Sequence, residues 1–214
     1  MKSNRLLYGL VFTFLFTFPA FSAAPDLRDQ ISLNGIWKSN GADVQVPQYF
    51  GEDFTGRKTY SREVVVPAEW TGKRIKLVFN QIAHQAKVYV DDTLIHEQKG
   101  GWAMFDVDIT DHVVPGKSFD LKVEISGSDS VKNERGMYMY PVGNWKPKAG
   151  INDDVWLRAY GTVYIDDAFI KTSFRRSELS VVYAVRNTDT VMHEVEINGN
   201  VRHPDASPVK SLAA

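Results

Sequence analysis

The residues best equipped for chemistry in this chain are its paired acids and a set of loop aromatics. Asp106, Asp108 and Asp111 lie close together in sequence, and hard cations such as calcium want several oxygen ligands. Asp106 and Asp108 share one face of an alternating stretch, however, with Val107 between them and no loop glycine to shape a cage. A solvated strand edge is therefore expected, and no metal site is assigned. Asp91-Asp92, Asp153-Asp154 and Asp166-Asp167 read most simply as turn pairs. The histidines (His84, His96, His112, His193 and His203) show no metal-ligand spacing. There is no Gly-x-Ser-x-Gly elbow and no glycine-rich phosphate loop after a strand. The chain has no cysteine, which removes thiolate chemistry and disulfides together. No catalytic residue and no cofactor follow from these patterns.

The aromatics offer more. Tyr138-Met-Tyr140 and Asn144-Trp145, with Trp102 after the paired Gly100-Gly101, form the best candidate binding set. Sugar rings have apolar faces that aromatic planes cover, while amides take the hydroxyls. A carbohydrate is the expected ligand. A second reading stays open, in which these aromatics pack on the protein's own strands or on a neighbouring domain. A net charge of −1 gives no electrostatic reason to expect nucleic acid or an anionic membrane.

These residues need a scaffold, and the periodicity supplies strands. Arg74–Phe79 sets Ile75, Leu77 and Phe79 on one face and Arg74, Lys76 and Val78 on the other. Phe119–Ile125 alternates four apolar residues with three charged ones. Lys87–Val90 and Leu94-Ile95 flank Asp91-Asp92 as a hairpin. Further strands are predicted around Ile31–Trp37, Tyr60–Val66, Phe105–Ile109 and Val155–Tyr160, with an irregular stretch after Trp37 and a long loop over Ser126–Trp145. Trp37, Trp70 and Trp156 are expected in the core. Many short strands without a helical period indicate a β-sandwich. Beyond Tyr164, strands are predicted over Ile165–Thr172, Leu179–Arg186 and His193–Val201, with Asn187–Thr190 as a turn. Three strands cannot close a sandwich of about seven, so this stretch is expected to be loose or aggregation-prone by itself.

Lys2 and Arg5, the apolar run Leu6–Phe18, Pro19 and the small residues Ala20, Ser22, Ala23 and Ala24 make a secretory signal peptide. Its apolar core is shorter than the roughly 20 residues that span a bilayer. The expected division is a signal peptide at 1–24, a β-sandwich domain at 25–161 and a partial domain at 162–214. The expected location is exported, either periplasmic or secreted, with no membrane attachment once the signal is removed.

In order along the chain come Leu33-Asn-Gly-x-Trp37, Tyr60-Ser-Arg62, Val66-Pro-x-x-Trp70, Val88-Tyr-Val90, Gly100-Gly101, Phe105-Asp-Val-Asp-Ile-Thr110, Pro115-Gly-Lys117 and Gly150-Ile-x-x-Asp-Val-Trp-Leu157. This series resembles the N-terminal sugar-binding domain of glycoside hydrolase family 2, the group of β-galactosidases, β-glucuronidases and β-mannosidases. The resemblance implies an all-β fold: a jelly-roll-like, galactose-binding-like sandwich followed by an incomplete immunoglobulin-like sandwich. It also implies that the complete enzyme hydrolyses a β-linked glycoside in a third domain, a (β/α)8 barrel with two glutamates about 5–5.5 Å apart. A barrel takes about 250 residues, far more than follow Gly161, so this chain is expected not to hydrolyse glycosides alone. C-terminal domains or a partner chain are expected to complete it. The acid/base site of the family carries an Asn-Glu pair. Asn133-Glu134 has those residues but sits in the sandwich loop, so no catalytic role is carried over. In many members the corresponding loop brings an acidic residue, just before a Trp, to the sugar pocket. Here Asn144 precedes Trp145, and the run to Gly150-Ile151 is one residue longer. The alternatives are a free-standing carbohydrate-binding module, or a structural or adhesion sandwich without a sugar site.

Overall fold

A computed structural model describes residues 29–49, 56–127, 130, 132, 134–137, 149–202 and 208–212, with Arg202 and Pro208–Leu212 described by backbone alone. Their strands are β1 (Asp29–Ser32), β2 (Gly35–Ser39), β3 (Ala42–Val46), β4 (Arg57–Val65), β5 (Arg74–Phe79) and β6 (Ile82–Ala83). Then follow β7 (Gln85–Val90), β8 (Thr93–Gln98), β9 (Phe105–Asp108), β10 (Ser118–Ser126) and β11 (Gly150–Ile151). Last come β12 (Val155–Tyr160), β13 (Val163–Ser173), β14 (Glu178–Asn187), β15 (Gly199–Arg202) and β16 (Pro208–Leu212). The only helical pieces among the described residues are two short 3-10 turns, Ala68–Trp70 and Thr110–His112.

One sheet has the order β1-β12-β5-β9 and the other β3-β2-β4-β10-β7-β8, every pairing antiparallel. They pack face to face as the expected sandwich. Phe119, Leu121, Val123 and Ile125 of β10 turn inward and the residues between them outward. Trp37, Tyr60, Val88 and Leu121 from the larger sheet meet Ile75, Leu77, Phe79 and Leu157 from the smaller, each no more than 1% exposed. Each such side chain contributes about 1.5–3 kcal/mol on burial, and this core holds the fold without a disulfide. Two of its large polar side chains are satisfied: Trp37 Nε1 donates to the Leu33 carbonyl at 2.8 Å, and the Tyr60 hydroxyl to Gln48 Oε1 at 3.0 Å.

Three local readings meet different outcomes. Asp91 and Asp92 do form the β7–β8 turn, with φ of 45° and 62°; Asp91 Oδ1 also accepts the Asp120 amide at 2.8 Å. The stretch expected to be irregular after Trp37 is strand as far as Val46, because Asn40 and Gly41 at φ 49° and 84° turn β2 back into β3; its residues 50–55 lie outside the described residues. Trp37 and Trp70 are buried, but Trp156 is only half-buried. It alternates out of phase with Val155, Leu157 and Ala159, which take the core positions of β12.

After the sandwich, β13 and β14 form a long hairpin. Asp166-Asp167 is not a turn but an irregularity inside β13, where the register shifts between Ile165 and Asp167. That shift puts Ile165 on the same face as Ala168 and Ile170, opposite Val185, Tyr183 and Val181. Ile165, Ile170, Leu179 and Val185 are exposed there. The strand predicted to start at His193 begins only at Gly199. Polar side chains hold the intervening residues in local bonds instead: Asn187 Nδ2 to the Val191 carbonyl at 2.6 Å, the Val191 amide to Asp189 Oδ1 at 2.7 Å, and His193 Nε2 with Asp189 Oδ2 at 2.6 Å. Such side-chain bonds compete with strand pairing.

Candidate functional site

At one end of the sandwich, β6 pairs with β11, Gly150 opposite Ala83 and Ile151 opposite Ile82. The pairing is extended by the Asn152 amide to the Gln81 carbonyl at 3.0 Å and the Gln48 amide to the Ile151 carbonyl at 2.8 Å. Gly150 has φ 151°, a conformation that side chains disfavour. The loop carrying Gly100-Gly101 comes down on this pair, and the Trp102 amide donates to the Ile82 carbonyl at 3.1 Å. Gly101 is required by space: a Cβ there would sit 2.9 Å from the Ile82 carbonyl oxygen and 3.0 Å from His84 Cα.

Trp102 is thereby fixed by its backbone while its side chain stays 44% exposed. Its φ is 72°, and its ring meets the fully buried His84 edge-on, centroids 5.9 Å apart. A half-exposed indole held on a rigid pair of strands is what stacking against a sugar ring requires. Of the five sequence-predicted site residues, Trp102 is the one described. Tyr138, Tyr140, Asn144 and Trp145 lie outside the described residues, which resume at Ala149 directly before β11. Sequence reasoning missed Asn152, which is 6% exposed beside β11 and whose Oδ1 is buried with no hydrogen-bond partner among the described residues. A buried acceptor left so costs about 1–3 kcal/mol.

A second polar cluster lies where the sandwich meets the β13–β14 hairpin. Lys76 Nζ donates to Asp106 Oδ2 at 2.8 Å and to Asp166 Oδ1 at 3.1 Å. Arg186 closes on the other oxygen of Asp166 through Nε at 3.1 Å and Nη2 at 2.7 Å. Arg74 pairs with Asp108, whose Oδ1 also accepts the Thr110 amide at 3.0 Å and hydroxyl at 2.6 Å. The Lys76 ammonium stands 5.5 Å from the Tyr160 ring centre and 5.3 Å from that of Tyr164. Burial pulls the Lys76 pKa down, but the bonds to Asp106 and Asp166 outweigh it and hold the group above the ordinary lysine value. Burial likewise pushes Asp108 and Asp166 up, and their hydrogen bonds and cations bring both below the usual carboxylate range. A cleft of about 640 Å³ opens beside this cluster. Its acids serve as counter-ions, not as an acid/base pair or a cation cage. No group of three or more potential metal ligands occurs among the described residues.

The landmarks at the two ends of the sandwich sequence also meet in space. Asn34 Nδ2 donates to Asp154 Oδ1 at 2.8 Å, and Asn34 Oδ1 accepts the Val155 amide at 3.0 Å. The profile described as glycosyl hydrolases family 2, sugar binding domain, matches residues 28–161, which span both landmarks. The chain belongs to glycosyl hydrolase family 2. Among family relatives, the β-glucuronidase of Rattus norvegicus is 27% identical over 186 residues, covering 72% of this chain and 29% of that protein. The β-galactosidase of Thermoanaerobacter pseudethanolicus is 26% identical over 121 residues, covering 55% of this chain and 16% of that protein. Among solved structures, the apo β-glucuronidase of Ruminococcus gnavus superposes with a TM-score of 0.69 at 20% identity, over 89% of this chain and 38% of that one. At that identity the superposition speaks for the shared fold. The chain thus spans less than a third of the rat family member's length.

Proposed function

We propose that this chain is the N-terminal, sugar-binding portion of an exported family 2 β-glycosidase, in which residues outside these 214 carry out hydrolysis of a terminal β-linked sugar. The observation that carries this reading is the family match over residues 28–161, the stretch that folds as the sandwich. Matches to β-glucuronidases and a β-galactosidase point to a β-glycoside as the substrate class. On this reading residues 1–24 direct export and are removed, 25–161 form the sugar-binding domain, and 162–214 begin an immunoglobulin-like domain. On the same reading Trp102, with Tyr138, Tyr140, Asn144 and Trp145 from the sequence before β11, contributes to the sugar pocket. The exposed apolar face of the β13–β14 hairpin fits an opening strand pair that the rest of such a domain covers.

Reading the coding DNA beyond Ala214 tests this proposal. An open frame encoding the rest of an immunoglobulin-like domain and a barrel is expected, whether continuous or displaced by a frameshift. Unrelated or non-coding sequence in every frame would overturn it in favour of a free-standing binding module.

A further inference from the structure

The outer face of the four-stranded sheet carries a feature that neither the loop site nor the ion-pair cluster explains. Alternation along β12 turns Trp156, Arg158 and Tyr160 outward. Arg158 stands between these rings, its guanidinium 5.8 Å from the Trp156 ring centre and its Nε donating to Gln30 Oε1 at 3.0 Å. That bond and the ring fix the plane of the guanidinium and leave the paired Nη groups for an end-on partner. The neighbouring cations are neutralised: Lys73 by Asp29, Arg74 by Asp108, Lys76 by Asp106 and Asp166, and Arg186 by Asp166. Among the described residues, no carboxylate lies within ion-pair distance of Arg158. A held, half-buried guanidinium without a counter-ion is a receptor for an anion of matching fork geometry.

The surroundings say what carries that anion. Arg158 opens onto a groove of about 370 Å³ that passes Tyr160 and Val78 to reach Phe105, His96 and Gln98; Asp166 also lines it, with both oxygens already spent on Lys76 and Arg186. That volume lies at the lower end of the roughly 300–1,000 Å³ range of small-ligand sites. The far end is a fixed array of planar groups, His96 stacked on Phe105 with centroids 5.6 Å apart and its Nε2 bonded to Gln98 Oε1 at 3.2 Å. Asp106, whose side chain is half-exposed and lines the groove, uses Oδ2 for Lys76. Apolar and ring surface along the groove, amide, imidazole and carboxylate groups at its side, and one unmatched positive charge at its end make a site for a sugar bearing a carboxylate. Peptide carboxylates offer the charge but not the row of hydroxyls that the planar groups would take.

We infer that the groove running from Arg158 on the outer face of the four-stranded sheet to the β8–β9 edge of the sandwich is an accessory binding site for an acidic saccharide, with Arg158 receiving the uronate carboxylate. The inference extends the sugar-binding reading to a second place on the same domain and shares no residue with the Trp102 site.

The test is calorimetric titration of the 214-residue chain with a hyaluronan hexasaccharide, which carries glucuronate, against cellohexaose as a neutral comparator. The acidic hexasaccharide is expected to bind at least tenfold more tightly than the neutral one, and more weakly as salt is raised. Arg158→Gln is expected to raise its Kd at least tenfold and Arg158→Lys by less, both with unchanged circular dichroism, while Lys122→Gln, on the other sheet and already paired with Asp92, leaves it within twofold. Absence of binding to the folded chain, equal affinity for both sugars, or an Arg158→Gln variant that binds like the parent would overturn the inference. Loss of binding in Trp102→Ala alone would place the sugar at the loop site, overturning the inference while leaving the proposed function standing.

Discussion

Replacing Lys76 by Met asks how much the ion-pair cluster contributes. Lys76 is 7% exposed, so Met keeps most of its stem packing and removes the ammonium. Two charge-assisted bonds are lost, each worth about 1.5–3 kcal/mol, along with two cation–ring contacts of about 0.5–1 kcal/mol each. Stranding a fully buried partner would bring the loss to about 3–5 kcal/mol. The partners here are not stranded: the Asp106 side chain is 49% exposed and regains water, and Asp166 keeps Arg186. The net expectation is a loss of about 2–3 kcal/mol, seen in urea unfolding as a lower midpoint. For a chain of this size that corresponds to a Tm drop of roughly 5–10 °C. Because Asp166 belongs to β13 and Lys76 to β5, proteolysis between Tyr160 and Ile165 should quicken in the same variant. A Lys76→Met/Asp166→Asn double-mutant cycle should give a coupling energy of at least about 1 kcal/mol. Coupling near zero, or a Lys76→Met variant within about 0.5 kcal/mol of the parent, would refute the reasoning.

Two further outcomes follow. Asp108 and Asp166 have pKa values held below 3.8 in the folded protein. Their contribution is therefore complete above the unfolded value and lost as pH falls through the folded one. Unfolding midpoints should fall as pH drops below about 4, and Asp166→Asn should flatten that acid limb. Lys76, shifted the other way, keeps its contribution below the ordinary lysine value and adds no slope near neutrality. Gly101→Ala should destabilise by about 1–3 kcal/mol, since backbone atoms of Ile82 and His84 block the new methyl; a neutral result in thermal unfolding would mean the loop can shift away.

How far the sequence reveals all this depends on whether a signal is local. Alternation in Phe119–Ile125 settles β10 because one face of that strand meets only core and the other only solvent or charge. Thr110 Oγ1 accepts the Ile75 amide at 2.9 Å from the neighbouring β5, a contact that the residues around β9 do not announce. Asn40-Gly41 is a two-residue hairpin signal, but reading the glycine, proline and glutamine around it as irregular passed over it and the short β3. Alternation sets Lys76 and Val78 on the face opposite Ile75, Leu77 and Phe79, yet both are buried. Tyr164 and Asp166 reach Lys76 from β13, an arrangement no pattern within β5 could announce. Trp156 failed in the converse sense, since an apolar type placed it in the core while its phase in β12 turns it outward. At the candidate site the paired glycines were visible before the structure, but their purpose was not. Gly101 is there because Ile82 and His84, distant in sequence, leave no room for a side chain.

We propose that these residues form a sugar-binding scaffold and depend on residues outside them for hydrolysis. Incubating the purified 214-residue chain with aryl β-glucuronide, β-galactoside and β-mannoside tests it most directly. No release of the aryl group above the buffer rate is expected. Turnover that survives repeated purification and disappears on Glu134→Gln would contradict it.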